Sequence, residues 1–259
     1  MDAVKKTSSL RWIVLISVLL NIAVNVLSNY FLINGKTIEE ITRHYDNMFT
    51  PAGFTFSIWG IIYLSYLAYA FYQLLPSQRA NPIYDRLAPG FIMANILGSV
   101  WLIVFSYELI SLSLLVIITL LITAIILFRK VNEAASPKKC RKSIIIPFSL
   151  LFGCISVATL ANFSAWLVYM GWAGGEQEQR TWTVMLILIA IAAGVYVSLK
   201  YKDWLYPLVV VWACLGIWLV NREFNDSVSK AAIITGGILL VWQILYFIIT
   251  TYRENRNLI

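Results

Sequence analysis

The sequence predicts an all-α protein that crosses a membrane several times. Of its 259 residues, 60% are hydrophobic and only 13% are charged, which is about half the charged fraction of a soluble domain. The charges lie between long apolar runs, and each run can cross a hydrocarbon core about 30 Å thick at about 1.5 Å per helical residue. An open sheet would leave unpaired backbone groups in lipid, and a closed barrel needs shorter alternating segments, so the spans are predicted to be helices.

The apolar runs predict a polytopic bundle of about eight transmembrane helices. Only Tyr107 and Glu108 separate the third run from the fourth, which predicts a tight helical hairpin. Pro207 lies in the first turn of its helix, where its missing N–H is harmless. The predicted spans are 12–33, 53–75, 90–106, 109–128, 144–170, 182–199, 204–220 and 231–251.

The basic residues predict the orientation in the membrane. Fifteen of the 20 Lys and Arg residues lie in the termini and loops on one side of the spans, and five lie on the other side. Because Lys and Arg in short loops mark the cytoplasmic side, both termini are predicted to be cytoplasmic in a multi-pass protein of the plasma or inner cell membrane. The basic segment 138–142 is interpreted as a contact for anionic lipid headgroups, and no nucleic-acid partner is expected.

A polar stripe runs along the first predicted helix. At 100° per residue its members fall within an arc about 120° wide. An amide facing lipid would cost several kcal/mol, so the stripe is expected to face other helices. Helix packing accounts for it, and contact with a ligand is the alternative. Its members are Ser17, Asn21, Asn25, Ser28 and Asn29.

Aromatic and amide side chains share faces on three further helices. Trp59, Trp101 and Trp166 are expected to lie deeper than the tryptophans that anchor span ends at membrane interfaces. Deep tryptophan combined with amides suits a cavity for a flat, largely apolar ligand with a few polar edges, and bulky helix packing is the alternative. The three faces are Phe56, Trp59, Tyr63 and Tyr66; Asn95, Gly98, Trp101 and Phe105; and Thr159, Asn162 and Trp166.

The predicted spans contain no Asp, Glu, Lys, Arg or His. Proton relays and ion pathways normally need such residues. The single histidine, His44, lies in a loop, so neither a His-based metal site nor a catalytic triad is predicted. We therefore expect no catalytic residues, no metal, no required cofactor and no enzymatic activity.

A proline followed by an aromatic motif opens the second span. Pro51 precedes Trp59-Gly60-Ile61-Ile62-Tyr63 by eight residues. The third span carries Met93-Ala94-Asn95, followed by Trp101 and Phe105, and the fifth carries the sequence ANFSAW at 161–166.

Through these three motifs, in this order, the chain resembles the TspO/MBR family over residues 10–172. These are the tryptophan-rich sensory proteins related to the mitochondrial translocator protein. The resemblance implies a five-helix bundle whose cavity binds tetrapyrroles, sterol-like lipids or other flat hydrophobic molecules, with the loop 34–51 as a cap. Within this loop, Ile38–Ile41 is expected to form a short helix that lies on the membrane interface. The predicted ligand-binding residues are the motif positions together with Phe56 of the aromatic face: Pro51, Phe56, Trp59, Tyr63, Asn95, Trp101, Phe105, Asn162 and Trp166.

The predicted organisation is therefore a TspO/MBR-like domain at 1–172 and a three-helix membrane segment at 173–259. We expect a tryptophan-rich sensory or translocator-like receptor, with membrane lipids and a small hydrophobic molecule, such as a porphyrin, as partners. A transporter or permease for such a molecule is the alternative, and an enzyme that photo-oxidises a bound tetrapyrrole is a third hypothesis. The last three helices are open to roles as a lid, a partner contact or the interface of a homodimer.

Overall fold

A computed structural model describes the backbone of residues 2–134, 138–172 and 175–256, and the side chains of 9–133, 144–172 and 175–250. Within these ranges the chain forms helices joined by turns and loops, with no strand. The helices are α1 Asp2–Tyr30, α2 Ile38–His44, α3 Ile58–Tyr72, α4 Ile83–Ser106, α5 Ile110–Ala134, α6 Lys138–Tyr169, α7 Glu176–Tyr201, α8 Leu205–Asn221 and α9 Asp226–Arg256.

The all-α, polytopic fold class is confirmed. In the described part of the chain, seven helices are long and apolar enough to cross a membrane, where the sequence predicted about eight. The remaining apolar helix, α8, has 17 residues, which gives it a length of only about 25 Å. Which side of the membrane each end faces stays a prediction of the charge count.

Several local predictions are confirmed, and several helices begin five or more residues before the predicted starts of their spans. The hairpin turns at Glu108, whose φ is 56°, and Pro207 lies in the first turn of α8. A 3₁₀ turn at Gly53–Ser57 delays the start of α3. α4 begins at Ile83 rather than 90, because its charged first turns carry a buried stripe at helical spacing that continues past Pro89. The buried residues of that stripe are Ile83, Tyr84, Leu87 and Ala88.

The short helix predicted in the first loop is also present. α2 follows a capping box in which the Thr37 side chain accepts a hydrogen bond from the Glu40 backbone N–H, and the Glu40 carboxylate accepts one from the Thr37 N–H. This reciprocal pair satisfies two backbone donors that a helix start leaves open. Ile38 and Ile41 are its buried residues, so the loop after α1 is an ordered part of the protein.

The chain divides into two compact units. The first contains the chain up to Asp46 and Phe56–Gly171; the second contains Asn47–Thr55 and the chain from Trp172 onward. The second unit thus combines the last three helices with nine residues from the first loop, the segment that carries Pro51.

In the first unit, α1 and α4 are joined by polar pairs along much of their length. The Asn21 Nδ2 donates to Asn95 Oδ1 over 3.1 Å, and the Ser99 hydroxyl donates to Asn21 Oδ1 over 3.3 Å. Ten positions earlier on each of the two helices, Arg11 of α1 pairs with Asp85 of α4. The polar stripe of the first helix therefore faces protein, as predicted for a stripe that cannot face lipid.

An aromatic cluster fills the space where α3, α4 and α6 meet. Tyr69 lies edge-on to Phe91 and Phe148, with ring centroids 5.3 and 5.2 Å apart. Tyr66 meets Phe91 in the same way at 4.9 Å. Edge-to-face pairs of this kind stabilise packing beyond the area they bury, so the cluster fixes the position of α3 within the first unit.

Candidate functional site

The nine predicted ligand-binding residues fall into separate groups in the structure. Eight of them lie in the first unit, and Pro51 lies in the second. Within the first unit they form an aromatic face on α3, a hydrogen-bonded group where α4, α5 and α6 meet, the Asn21–Asn95 pair described above, and a pair of aromatic rings near the end of α6.

The aromatic face of α3 carries the Trp59-to-Tyr63 motif. The two rings stack with centroids 5.7 Å apart and planes inclined by 30°. Tyr63 is buried and lies edge-on to Tyr66 at 6.1 Å, while Trp59 is half-buried. Phe56, also half-buried, lies in the 3₁₀ turn before α3. The face therefore has a rigid inner side and partly accessible rings at its outer end.

The second group is held together by Asn162 of α6. The Trp101 Nε1–H donates to Asn162 Oδ1 over 2.9 Å, and the Asn162 Nδ2 donates to the Ser113 hydroxyl over 3.1 Å. Phe105 stacks on Trp101 at 5.2 Å. All four side chains are buried, so the amide joins three helices.

Trp166 lies four positions after Asn162, near the end of α6. Its Nε1–H donates to the Ser111 hydroxyl over 3.1 Å, and its ring stacks on Phe163 at 6.0 Å. Like Trp59, it is only half-buried.

Two hydroxyls that complete these groups were not predicted as site residues. Ser111 and Ser113 belong to α5, where the sequence drew attention only to apolar character. The available signal was their position: they are polar residues in the first turn of a strongly apolar span, two residues apart. Their partners are on other helices, and no pattern within α5 points to Asn162 or Trp166.

The loop after α1 is fastened to the α4–α5 turn by an ionic group. Lys36 Nζ lies 2.6 Å from Glu108 Oε1, and the Tyr45 hydroxyl donates to Glu108 Oε2 over 3.1 Å. The hydrogen bond from Lys36 is the main cause that holds the pKa of Glu108 below its ordinary value of 4.5. Burial, helped by the contact with Glu108, raises the pKa of Tyr45 to about 12.

These contacts predict an acid-sensitive fastening of the loop. Because the folded-state pKa of Glu108 is lowered, its stabilising contribution is complete above the unfolded value near 4.5 and is lost as pH falls through the folded value. We expect the thermal midpoint of Glu108→Gln to lie below that of the parent at pH 7, and the difference to shrink towards pH 3.

The matched control is Glu133→Gln, since among the described residues Glu133 forms an exposed 3.8 Å pair with Arg129. Thermal unfolding in detergent between pH 3 and 7 measures both variants. If Glu108→Gln and Glu133→Gln gave the same difference from the parent at every pH, the Lys36–Glu108 group would not fasten the loop.

The fold and these groups define a multi-pass α-helical membrane protein with aromatic faces and interhelical amide bonds in its first unit. The chain belongs to the TSPO-like protein family, whose family model matches residues 11–245. This match confirms the resemblance read from the three motifs. It also extends beyond 172 to residue 245, so the matched region includes α7, α8 and most of α9. Searches of the curated proteins and of the solved structures found no match.

Proposed function

We propose that this TSPO-like protein is a non-enzymatic membrane receptor that binds a flat, largely apolar molecule, such as a tetrapyrrole or a sterol-like lipid, on the aromatic face of α3. The observation that supports this most directly is the stacked Trp59–Tyr63 pair. A planar ligand gains from stacking on such rings as well as from the apolar area it buries.

Two features of the first unit make this face a suitable binding surface. Its inner end is fixed by the edge-to-face contacts from Tyr63 to Tyr66 and from Tyr66 to Phe91, so little side-chain freedom remains to be lost on binding. Its outer end, Trp59, is half-buried and retains accessible ring surface, and the half-buried Phe56 lies in the 3₁₀ turn that precedes the helix.

The amide groups have a different part in this proposal. Asn162 and Asn95 already exchange hydrogen bonds with Trp101, Ser113 and Asn21. A ligand that contacted them directly would have to replace these bonds, with little net gain. We therefore assign Asn95, Trp101 and Asn162 to bracing the helices, and Phe56, Trp59 and Tyr63 to the ligand.

The chemistry of the face suits binding rather than catalysis. General acid–base catalysis needs a titratable group with a pKa near the working pH close to the reacting atoms. The side chains assigned to the ligand carry phenyl, indole and phenol rings, and the ionised pairs Arg11–Asp85 and Lys36–Glu108 lie at the ends of the spanning helices.

Tryptophan fluorescence tests the proposal on the purified protein in detergent. We expect protoporphyrin IX or haem to quench the emission saturably, since Trp59 would lie in contact with the ligand. We expect cholesterol to compete with the porphyrin and therefore to reduce this quenching. Quenching by both tetrapyrroles that rises linearly without saturation, as in a detergent blank containing free tryptophan, would contradict the proposal.

A further inference from the structure

Two exposed basic side chains flank the contact between α4 and α5, at the end of the first unit where α4 begins and α5 ends. A tight turn joins the two helices, so they are antiparallel. Their contact at this end is marked by Gly90, where an added Cβ would lie 2.9 Å from Leu127 Cδ2. Arg86 precedes Gly90 by four positions, Lys130 follows Leu127 by three, and both basic residues are exposed.

Helical geometry places these two basic residues at the same level. Four residues advance about 6 Å along an α-helix and return to within about 40° of the same direction, and three residues advance about 4.5 Å and differ by about 60°. Arg86 and Lys130 therefore both lie about one turn beyond the contact between Gly90 and Leu127. Because both are exposed, they lie on the outer side of that contact.

The carboxylates at this end of α4 and α5 are engaged with other cations. Each of the two helices contains one acidic residue, Asp85 in α4 and Glu133 in α5. Arg11 of α1 donates to both oxygens of Asp85, over 3.2 and 2.8 Å. Glu133 lies 3.8 Å from Arg129.

Arg86 and Lys130 are therefore left as a pair of like charges. Among the described residues, no salt bridge involves either of them. Two cations at one level repel each other, and an anion placed between them replaces that repulsion with two attractive contacts. A phosphate suits this pair, because the guanidinium fork binds two phosphate oxygens and the ammonium group binds as a point charge.

The surface next to the pair is apolar and faces away from the bundle. Exposed apolar residues recur at helical spacing on both helices, and in a membrane-spanning bundle such stripes contact lipid tails. Arg86 lies seven positions before the stripe residue Met93, and Lys130 lies four positions after Ile126, so each continues its stripe in nearly the same direction. The stripes are Met93, Ile96 and Val100 on α4, and Ile118, Ile122 and Ile126 on α5.

We propose that Arg86 and Lys130 bind the phosphate of an anionic phospholipid, whose acyl chains lie along the exposed stripes of α4 and α5. The phosphate accepts hydrogen bonds from both side chains, and the stripes bury part of the tails. A soluble phosphate would meet the cations but gain nothing from the stripes. The basic segment 138–142 begins α6 at the same end of the unit, next to the same layer of headgroups. This site is separate from the aromatic face of α3 and does not depend on a ligand there.

Thermal unfolding in an uncharged detergent, with phosphatidylglycerol as the added lipid, tests the site. We expect phosphatidylglycerol to stabilise the parent more than phosphatidylcholine does. The double variant Arg86→Gln with Lys130→Gln is expected to need about thirtyfold more phosphatidylglycerol for half of the stabilisation, since each basic residue near anionic headgroups contributes about fivefold in affinity. Without added lipid, its unfolding midpoint is expected to equal or exceed that of the parent, because the repulsion between the two cations is gone. A double variant that unfolds well below the parent in the absence of lipid would contradict the unpaired state of the two cations.

The matched control removes two cations that already have partners. Arg43→Gln with Lys230→Gln makes the same change in net charge, and both residues are exposed and paired within their own helices, with Glu39 and Asp226. This control is expected to respond to phosphatidylglycerol as the parent does. Equal responses in the two double variants, or a parent that phosphatidylglycerol and phosphatidylcholine stabilise equally, would overturn the proposal.

Two further measurements separate charge from shape and lipid from soluble anion. The exchanged variant, Arg86→Lys with Lys130→Arg, keeps both charges and is expected to retain the response to phosphatidylglycerol. A response lost as fully as in the double glutamine variant would overturn the pair of charges as its cause. Glycerol 3-phosphate offers the phosphate without the tails and is expected to stabilise the parent less than the lipid does. Equal stabilisation by glycerol 3-phosphate would overturn a lipid as the occupant.

Discussion

Arg11→Met is expected to lower the free energy of unfolding by about 3–5 kcal/mol, because it leaves a set of buried acceptors without their common donor. Arg11 is only 3% exposed. Its Nη2 lies 2.8 Å from Asp85 Oδ2 and its Nε donates to Asp85 Oδ1 over 3.2 Å. The remaining N–H groups reach four backbone carbonyls in the segment that connects α3 to α4, those of Gln73, Gln78, Arg79 and Asn81.

The shape of the guanidinium explains why no other residue type suits this position. It is a flat fork of five donors, whereas a lysine is a point charge with three. Arg11→Lys is therefore expected to fall between the parent and Arg11→Met. The Tyr84 ring, 5.3 Å from the guanidinium carbon, covers one side and adds to the burial.

Unfolding in detergent measures the effect against a matched arginine. Arg129→Met removes an exposed residue whose 3.8 Å pair with Glu133 lies within one helix, and such pairs contribute about 0.3–0.5 kcal/mol. If Arg11→Met and Arg129→Met shifted the unfolding midpoint equally, the buried arginine would not be holding the α3–α4 connection in place.

Asn162→Ala is expected to destabilise the protein by about 1–2 kcal/mol, since it removes the shared partner of the Trp101 N–H and the Ser113 hydroxyl. The same loss is expected to change ligand affinity less than Trp59→Ala does, because the amide braces three helices. A larger effect of Asn162→Ala on affinity than on stability would place the amide in contact with the ligand instead.

A double-mutant cycle isolates the bond itself. Trp101→Phe removes the N–H and keeps most of the ring, so its cost and that of Asn162→Ala should not add. We expect a coupling free energy of about 0.6–1.7 kcal/mol, the range found between membrane helices. The control cycle combines Trp101→Phe with Thr119→Val, since the exposed Thr119 hydroxyl forms its hydrogen bond within its own helix. If the coupling free energy in the control cycle were as large as in the test cycle, the Trp101–Asn162 hydrogen bond would not be its cause.

The sequence was sufficient to predict which faces of the helices are polar, but not their partners. Periodicity placed Asn21 in a stripe that had to face protein, and the structure pairs it with Asn95 of α4. A period fixes a direction around one helix axis and says nothing about which neighbour lies in that direction. For the same reason, Trp101, Ser113 and Asn162 meet through the packing of three helices.

Arg11 and Pro51 show the two ways in which local patterns were insufficient. The charge count placed Arg11 among the basic residues of the cytoplasmic N-terminus, whereas the structure buries it against backbone carbonyls of the α3–α4 connection. Pro51 was predicted to act with the first five helices, whereas it lies in the second unit, where a Cβ added at Gly216 of α8 would lie 2.8 Å from Pro51 Cβ. Glycine is common in apolar spans, so Gly216 by itself does not indicate which segment of the chain packs against it.

The central claim, a ligand stacked on the α3 aromatic face, is tested most directly by the affinity for protoporphyrin IX of two tryptophan variants measured side by side. Trp59→Ala removes one ring of the stacked pair, and Trp182→Ala removes a ring of α7 that lies edge-on to Trp172 in the second unit. Loss of one aromatic stacking partner corresponds to about a tenfold rise in Kd. We expect that rise in Trp59→Ala and an unchanged Kd in Trp182→Ala. Equal Kd values in the two variants, or a rise confined to Trp182→Ala, would contradict the claim.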